Sequence, residues 1–276
     1  MKKTASLLFT SVFVCTACAS GEVEKGILIH DSFRSKEGNS AVSQIVLVDE
    51  DGNEKVMLET TGIAASSSYN QYFNGKVYYR DGEGELAVVD LATKQESHTL
   101  LPHTTKRVAM YSKSALDSFA VMNTGIIVYA VGTCNNDMIT YNCDIYSYDP
   151  VTKESASLGK ADAATMFNRT EIMPMQAGQP YVHIQSHGGD GYVSRGLYYV
   201  VEGSPLKLSK VSSMKCEEME CEREQLGAGT KLNPREKFEC AGVTVEPLKQ
   251  VADYLSVTTS SGSIRINQYS YVGCLE

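Results

Sequence analysis

The sequence predicts an all-β protein: a β-propeller of about five four-stranded blades, preceded by a signal peptide. Three observations lead to that fold class. Pairs of short apolar strands recur roughly every 40 to 60 residues, and a period of that length is typical of a propeller array. Turn signals separate the strands, and 16 Tyr residues with no Trp suit half-exposed strands. The competing interpretation is a twisted β-sandwich whose repeats are accidental.

The chain begins with a predicted export signal at 1–18, followed by a tether at 19–25 and a propeller-like domain at 26–276. A short basic leader precedes an apolar run at 5–14, which is too short to span a bilayer. Residues 15–18 resemble a bacterial lipobox, in which Cys18 would carry the lipid, although Cys15 stands where an aliphatic residue is usual. Alternatively, Ala17-Cys18-Ala19 suits an ordinary signal peptidase, which would release a soluble protein.

Localisation follows from that choice. The lipid-anchored form is expected at the cell envelope, and Ala19 after the cysteine implies the outer membrane if the chain resembles other lipoproteins. The released form would be periplasmic.

Charge and length narrow the classes of partner. The formal net charge is -8, and loss of Lys2 and Lys3 with the leader would make it about -10. An acidic domain is a poor nucleic-acid binder, because affinity for nucleic acid comes from neutralising phosphates. About 255 residues remain, which suits one all-β domain.

Five units follow the tether, each with two apolar strands around a polar gap. They are 26–29 with 44–49, 76–79 with 85–90, 126–129 with 144–149, 181–184 with 197–202, and 254–257 with 264–267.

The second unit is the clearest. Asn74-Gly75 is the dipeptide that a type I′ hairpin turn requires, since both central residues need a positive φ. Around it the pattern predicts strands at 68–73, 76–80, 85–91 and 95–101, an antiparallel meander that makes one blade. The third unit repeats this order. The motif Asp-x-x-Thr-Lys occurs after the third strand of both units, at Asp90 and at Asp149.

These motifs resemble the bacterial envelope β-propellers of the PQQ-like, kelch-like and WD-repeat kind. The resemblance is remote and covers 26–208. It implies a propeller fold and no particular activity, because this superfamily includes enzymes, scaffolds and ligand binders. The segment 211–239 could be a degenerate blade or an insertion.

The cysteines predict disulfides. Six remain after the leader and Cys18 are set aside, an even number for an exported protein. A bond between Cys134 and Cys143 would close a small loop, and one between Cys240 and Cys274 would tie the last unit to the chain end. Cys216 and Cys221 could bond across a turn but not along a helix, or they pair elsewhere. The spacings do not suit zinc, so neither a metal nor a cofactor is predicted.

No catalytic motif stands out, and the loop carboxylates lie beside Gly, Asn or Ser, where solvated turn acids are expected. The sequence therefore favours a non-enzymatic interaction or assembly platform in the bacterial envelope, with a protein partner. The residues expected to bind it lie in loops that converge on one face. They are Asp81, Glu83, Asn135, Asn136, Asp137 and Asp190.

Two further possibilities remain. The acidic run 217–224 could be an excursion in solvent or a contact patch for a basic partner. The alternative function is an exported carbohydrate-binding protein or a glycan-active enzyme that uses the loop carboxylates.

Overall fold

A computed structural model gives the structure of the chain. The structure describes residues 24–34, 41–60, 70–106, 115–134, 141–161, 169–173, 182–187, 198–217, 220–225, 237–248, 254–267 and 270–276.

Nearly all of the secondary structure in these ranges is β-strand. The first part of the chain contains β1 (Gly26–Arg34), β2 (Ala41–Val48), β3 (Glu54–Thr60), β4 (Gln71–Phe73), β5 (Lys76–Arg80), β6 (Leu86–Asp90) and β7 (Glu96–Thr99). The middle contains β8 (Ala115–Val121), β9 (Ile127–Cys134), β10 (Tyr141–Tyr148), β11 (Ser155–Ala161), β12 (Arg169–Met173), β13 (Val182–His187), β14 (Tyr198–Glu202), β15 (Lys207–Glu217) and β16 (Glu220–Gln225). The last part contains β17 (Phe238–Cys240), β18 (Val243–Pro247), β19 (Tyr254–Thr259), β20 (Gly262–Asn267) and β21 (Tyr271–Leu275).

The strands form five antiparallel sheets, which are the five blades of a propeller. Blade 1 has the order β21-β1-β2-β3, blade 2 is β4 to β7, blade 3 is β8 to β11, blade 4 is β12 to β16, and blade 5 is β17 to β20. The first strands of neighbouring blades contact one another, β21 with β4, β4 with β8 and β8 with β12, which places them at the centre of the ring. The predicted fold class is confirmed.

Blade 1 combines the two ends of the described chain. β21 pairs with β1 so that Gly26 lies opposite Leu275 and Ile27 opposite Cys274. The pattern of units did not predict this closing strand, because β21 has no neighbour in sequence with which to form a repeat. Cys240 on β17 and Cys274 on β21 form a disulfide with Cα atoms 5.8 Å apart, which links blade 5 to blade 1 as the sequence suggested.

The hydrophobic core lies between the blades. Side chains of a strand alternate between the two faces of its sheet. In β1, Leu28 therefore packs towards blade 2 with Val77, whereas Ile27 and Ile29 pack towards blade 5 with Val243. Further apolar clusters join blade 2 to blade 3 and blade 3 to blade 4. Both faces of blades 1, 2 and 3 are thus buried, which explains the long apolar runs of their second and third strands.

The predicted turns form as expected. Asn74 and Gly75 have φ values of 47° and 77°, as a type I′ turn requires. In the Asp-x-x-Thr-Lys motif, Oδ1 of Asp90 accepts hydrogen bonds from the amides of Ala92 and Thr93, and Lys94 adopts a φ of 59°. The side chain of the Asp replaces missing backbone partners and so stabilises the turn.

Asp149 repeats this turn. Its Oδ1 accepts from the amides of Val151 and Thr152, and Lys153 has a φ of 65°. The repeated motif is therefore a repeated turn between the third and fourth strands of a blade.

One part of the strand pattern differs from the prediction. The fifth unit, 254–257 with 264–267, forms the third and fourth strands of blade 5, whereas the other four units form second and third strands. The first strand of blade 5, β17, has only three residues, which is too short to give a periodic signal.

The segment 211–239, which the sequence left open as a degenerate blade or an insertion, is described at 211–217, 220–225 and 237–239. Its described part up to Gln225 extends β15 and adds β16 to blade 4.

The described residues contain no helix of the length and hydrophobicity that crossing a membrane requires.

Candidate functional site: the loop face of the propeller

The two ends of the propeller are built differently. At one end, called here the turn face, the first and second strands and the third and fourth strands of a blade are joined. The described connections at this face are short turns at 49–53, 74–75, 91–95, 122–126, 149–154, 203–206, 241–242 and 260–261.

At the opposite end, called here the loop face, the second strand connects to the third and each blade connects to the next. The described parts of these connections include 81–85 and 100–106 in blade 2. This end is where the interaction residues were predicted.

Eight polar side chains are buried among the described residues. Burying a polar group costs free energy unless a partner satisfies it, so each of them needs a structural reason. They occupy the middle of a strand, its loop-face end or the loop itself, and they are His30, Ser43, Asn70, Gln71, Arg80, Asp81, Thr104 and Ser118.

Two of these side chains connect blade 2 to blade 3. Gln71, on β4, accepts a hydrogen bond at Oε1 from the amide of Val121 at 2.6 Å and donates from Nε2 to the carbonyl of Phe119 at 3.4 Å. Arg80, at the end of β5, donates from a terminal nitrogen to the carbonyl of Leu116 at 3.2 Å. Both reach the backbone of β8. Arg80 contacts Leu116 near the loop-face end of that strand, whereas Gln71 contacts Phe119 and Val121 towards its turn-face end.

Asp81 organises the loop between β5 and β6. Its side chain is only 8% exposed. Oδ1 accepts hydrogen bonds from the amides of Glu83 and Glu85, both at 2.9 Å, which closes the loop on itself. Oδ2 lies 2.8 Å from Nδ1 of His98 on β7.

Acids and bases alternate around this loop. Nε2 of His98 lies 3.2 Å from Glu96, whose carboxylate also accepts the hydroxyl hydrogen of Tyr79. The hydrogen bond to Asp81 is the main cause that raises the pKa of His98, with the charge of Glu96 adding to it. The cationic form of His98 therefore fits between two carboxylates.

Lys106, in the connection to blade 3, lies 2.7 Å from Glu83 and 3.3 Å from Glu85. Hydrogen bonds to these two carboxylates raise the pKa of the Lys106 ammonium group. The loop and the blade connection are thus joined by opposite charges, and the three side chains Glu83, Glu85 and Lys106 form the rim of the loop face at blade 2.

The same cluster could in principle hold a metal. Ligand atoms of Asp81, Glu85 and His98 lie within 4.8 Å of one another, and in the described part of the chain they are the only such group of three. Carboxylate oxygens with an imidazole nitrogen suit several divalent cations. However, each of the three already has a partner of opposite charge in the cluster. A metal would have to displace the proton of His98 and the ammonium group of Lys106. The geometry therefore favours a set of ion pairs that hold the loop in place.

The structure locates only part of the predicted site. Asp81 and Glu83 lie at the loop face, but Asp81 is buried and supports the loop, while Glu83 is exposed at its tip. Asn135, Asn136, Asp137, Asp190 and the lipidation candidate Cys18 lie outside the described residues.

The strands on either side of 135–140 and of 188–197 are described. β9 ends and β10 begins around 135–140, and β13 ends and β14 begins around 188–197, so both gaps join the second strand of a blade to its third, as 81–85 does in blade 2.

Sequence reasoning missed His98, Lys106, Gln71 and Arg80. His98 becomes a neighbour of Asp81 only through strand pairing, in which it lies opposite Ala87. No motif marks these residues, because their partners come from other strands or from the next blade.

No protein-family model matches the sequence, and no curated protein matches it. Among solved structures the chain is similar to an oligogalacturonate lyase in complex with manganese, with 12% identity and a TM-score of 0.40 over 88% of this chain and 73% of that one. It is also similar to the oligogalacturonate lyase of Vibrio parahaemolyticus, with 10% identity and a TM-score of 0.38 over 89% and 86%. The Myceliophteria thermophila Cps50 (Swd1) β-propeller domain gives 12% identity and a TM-score of 0.36 over 86% and 73%. At these values the assignment of the fold depends on the strand topology and says nothing about activity.

Proposed function

We propose that this protein is an exported propeller, attached to the cell envelope through a lipid on Cys18, whose loop face is a non-enzymatic docking platform for an envelope protein. Incorporation of a labelled fatty acid, lost in Cys18→Ser, tests the anchor. Described residues of blades 2 and 3 support the platform.

The observation that carries the proposal is the difference between the two faces. The turn face consists of short turns that satisfy their own hydrogen bonds, as at Asp90 and Asp149. At the loop face, buried Arg80 contacts the backbone of β8, and buried Asp81 holds the loop between β5 and β6 in place. Preorganised loops on a rigid scaffold reduce the entropy cost of binding, which suits protein recognition.

The chemistry of the described acids supports binding over catalysis. A general acid needs a protonated carboxyl group that can donate to a substrate. Both oxygens of buried Asp81 instead accept hydrogen bonds, from two amides and from His98. Asp81 therefore holds the loop in place. Exposed Glu83 and Lys106 are the groups that a partner would contact.

The experiment compares charge reversal on the two faces. Glu83→Lys changes the loop face, and Glu154→Lys makes the same change at an exposed position of the turn face. Cells that express tagged full-length variants are cross-linked, and the proteins that co-purify are identified and quantified. The proposal expects one recurrent envelope protein whose yield falls several-fold with Glu83→Lys and stays unchanged with Glu154→Lys. Equal loss with both variants, or no recurrent protein, would contradict it.

One observation favours glycan binding as a second candidate. A cleft of about 290 Å³ lies between blades 1 and 5, lined by Asp31, Glu54 and Arg265 among others. Charged and amide groups in an open cleft suit the hydroxyl groups of a small saccharide. Retention of the protein on envelope polysaccharide, weakened by Arg265→Ala and not by Glu83→Lys, would replace the platform with this function.

A further inference from the structure

β15 changes its partner along its length. Between Lys207 and Ser212 it pairs with β14, whose described residues begin at Tyr198 opposite Ser212. From Ser212 to Glu217 it pairs on its other side with β16. The two strands beyond Ser212 therefore form a ribbon, 212–217 with 220–225, that continues past the described end of β14.

The ribbon extends from the loop face. β15 runs from the turn at 203–206, on the turn face, towards the end at which β13 and β14 are connected. Five residues beyond Ser212 span roughly 16 Å at the rise of an extended strand. The described ends of the ribbon, Glu217 and Glu220, thus lie towards the face where Glu83 and Lys106 are exposed.

Among the described residues, the partner of β15 beyond Ser212 is β16. An isolated hairpin is marginally stable in water, because it has no third strand or packed face to offset the entropy of ordering the chain. The register pairs Glu217 with Glu220 at the tip, where like charges oppose pairing.

Cys216 lies directly opposite Cys221 in the same register. Cα atoms of directly opposed residues in an antiparallel pair are about 4.5 to 5.5 Å apart, which is within the range that a disulfide spans. The other cysteine pair is placed differently: Cys134 lies opposite Tyr141, and Cys143 lies opposite Gly132. Diagonal positions of that kind are about 7 to 8 Å apart, beyond the usual span of a disulfide.

We propose that Cys216 and Cys221 form a cross-strand disulfide that locks this ribbon, which makes its order depend on oxidation. With Cys240 and Cys274 joined, Cys216 and Cys221 are the remaining cysteines that the described strand registers place directly opposite each other. The two thiols form one Sγ–Sγ bond, and their two protons and two electrons pass to the disulfide of an oxidising partner, which becomes two thiols. This inference stands independently of the platform function.

The bond is tested first by peptide mapping. The full chain is folded with glutathione disulfide as the oxidant and digested with trypsin without reduction. Cleavage after Lys215 and Arg223 yields one peptide, 216–223, that contains both cysteines. We expect this peptide to be lighter by two hydrogen atoms than its reduced form and to resist alkylation. Cyanogen bromide cleavage at Met219 should leave its two halves joined until they are reduced.

Hydrogen exchange tests the consequence. In Cys216→Ser/Cys221→Ser, the amides of 212–217 and 220–225 should exchange about tenfold faster or more, because the disulfide no longer restrains the open ribbon. Amides of β5 and β6 in blade 2 should stay protected, which shows that the variant is folded. Cys240→Ser/Cys274→Ser serves as the matched control and should leave exchange in the ribbon unchanged.

Three results would overturn the inference. Two alkylated thiols after oxidative folding, or a bond from Cys216 or Cys221 to Cys134 or Cys143, would exclude the disulfide. If exchange in the ribbon were the same with and without the two cysteines, the disulfide would have no role in ordering the ribbon.

Discussion

At the scale of single residues, the contact between Asp81 and His98 is the most informative. Asp81 is buried at the end of β5, and His98 is partly exposed on β7. The hydrogen bond between them raises the pKa of His98 above its ordinary value of 6.5. It also orients the carboxylate whose other oxygen holds the loop amides of Glu83 and Glu85.

Asp81→Asn should lower the pKa of His98 towards its ordinary value. The substitution keeps an oxygen that can accept from the loop amides but removes the charge that favours the imidazolium ion. NMR titration of the imidazole Hε1 proton measures the change. Glu154→Gln, on the turn face, is the control and should leave the titration of His98 in place. A titration of His98 that is the same in Asp81→Asn and the native chain would contradict the assignment.

The contact between Asp81 and His98 makes the free energy of unfolding depend on pH. Because the pKa of His98 is raised in the folded state, the contact stabilises the protein fully below about pH 6.5, and this stabilisation is lost as the pH rises through the folded-state pKa. The side chain is 42% exposed, so screening by solvent keeps the contribution below about 1 kcal/mol.

At the scale of elements, the packing of β21 against β4 limits which residues the centre of the ring accepts. Gly273 lies on β21, and a Cβ atom built there would come within 2.7 Å of Cβ of Tyr72 and 3.4 Å of its backbone nitrogen. Tyr72 belongs to β4, so either the side chain or the strand itself would have to move. The absence of a side chain at 273 lets the first strands of two blades approach closely.

Gly273→Ala should destabilise the protein by about 1 to 3 kcal/mol, the usual cost of overpacking a core. Gly82→Ala is the matched control, because nothing lies within 4 Å of its Cβ position and its backbone needs no positive φ. Urea unfolding followed by circular dichroism compares the two. A midpoint for Gly273→Ala equal to that of Gly82→Ala would show that β21 does not pack against β4 as described.

At the scale of the whole molecule, the ring is closed by strand pairing and by a covalent bond. β21 pairs with β1, and the disulfide between Cys240 and Cys274 joins the first strand of blade 5 to this closing strand. The bond restricts the unfolded chain over a sequence separation of 34 residues. The strand pairing lies within blade 1, and the disulfide joins blade 5 to that blade.

Cys240→Ala/Cys274→Ala should lose about 3 to 4 kcal/mol of stability by the loop-entropy relation. At the usual scaling for a domain of this size, the melting temperature should fall by roughly 6 to 15 °C. Native and variant chains are unfolded thermally with and without dithiothreitol, and the difference between them should shrink when the reductant is present. Equal melting temperatures without reductant would contradict a stabilising role for the bond.

The local elements of this protein can be predicted from short stretches of its sequence. Alternating apolar residues predict β5 and β6, Asn74-Gly75 predicts the turn between β4 and β5, and the repeated Asp-x-x-Thr-Lys predicts the turns after β6 and β10. These signals are readable because each depends on the backbone preferences of a few consecutive residues.

The contacts between these elements depend on the folded chain and could not be predicted. The pairing of β21 with β1, the partner change of β15 at Ser212 and the contact of His98 with Asp81 all join residues that are distant in sequence or carry no motif. Short or irregular strands such as β17 and β21 give weak periodic signals, and their positions depend on the surfaces that they cover. The strands follow from local chemistry, whereas the closed ring and its loop face follow from packing between blades.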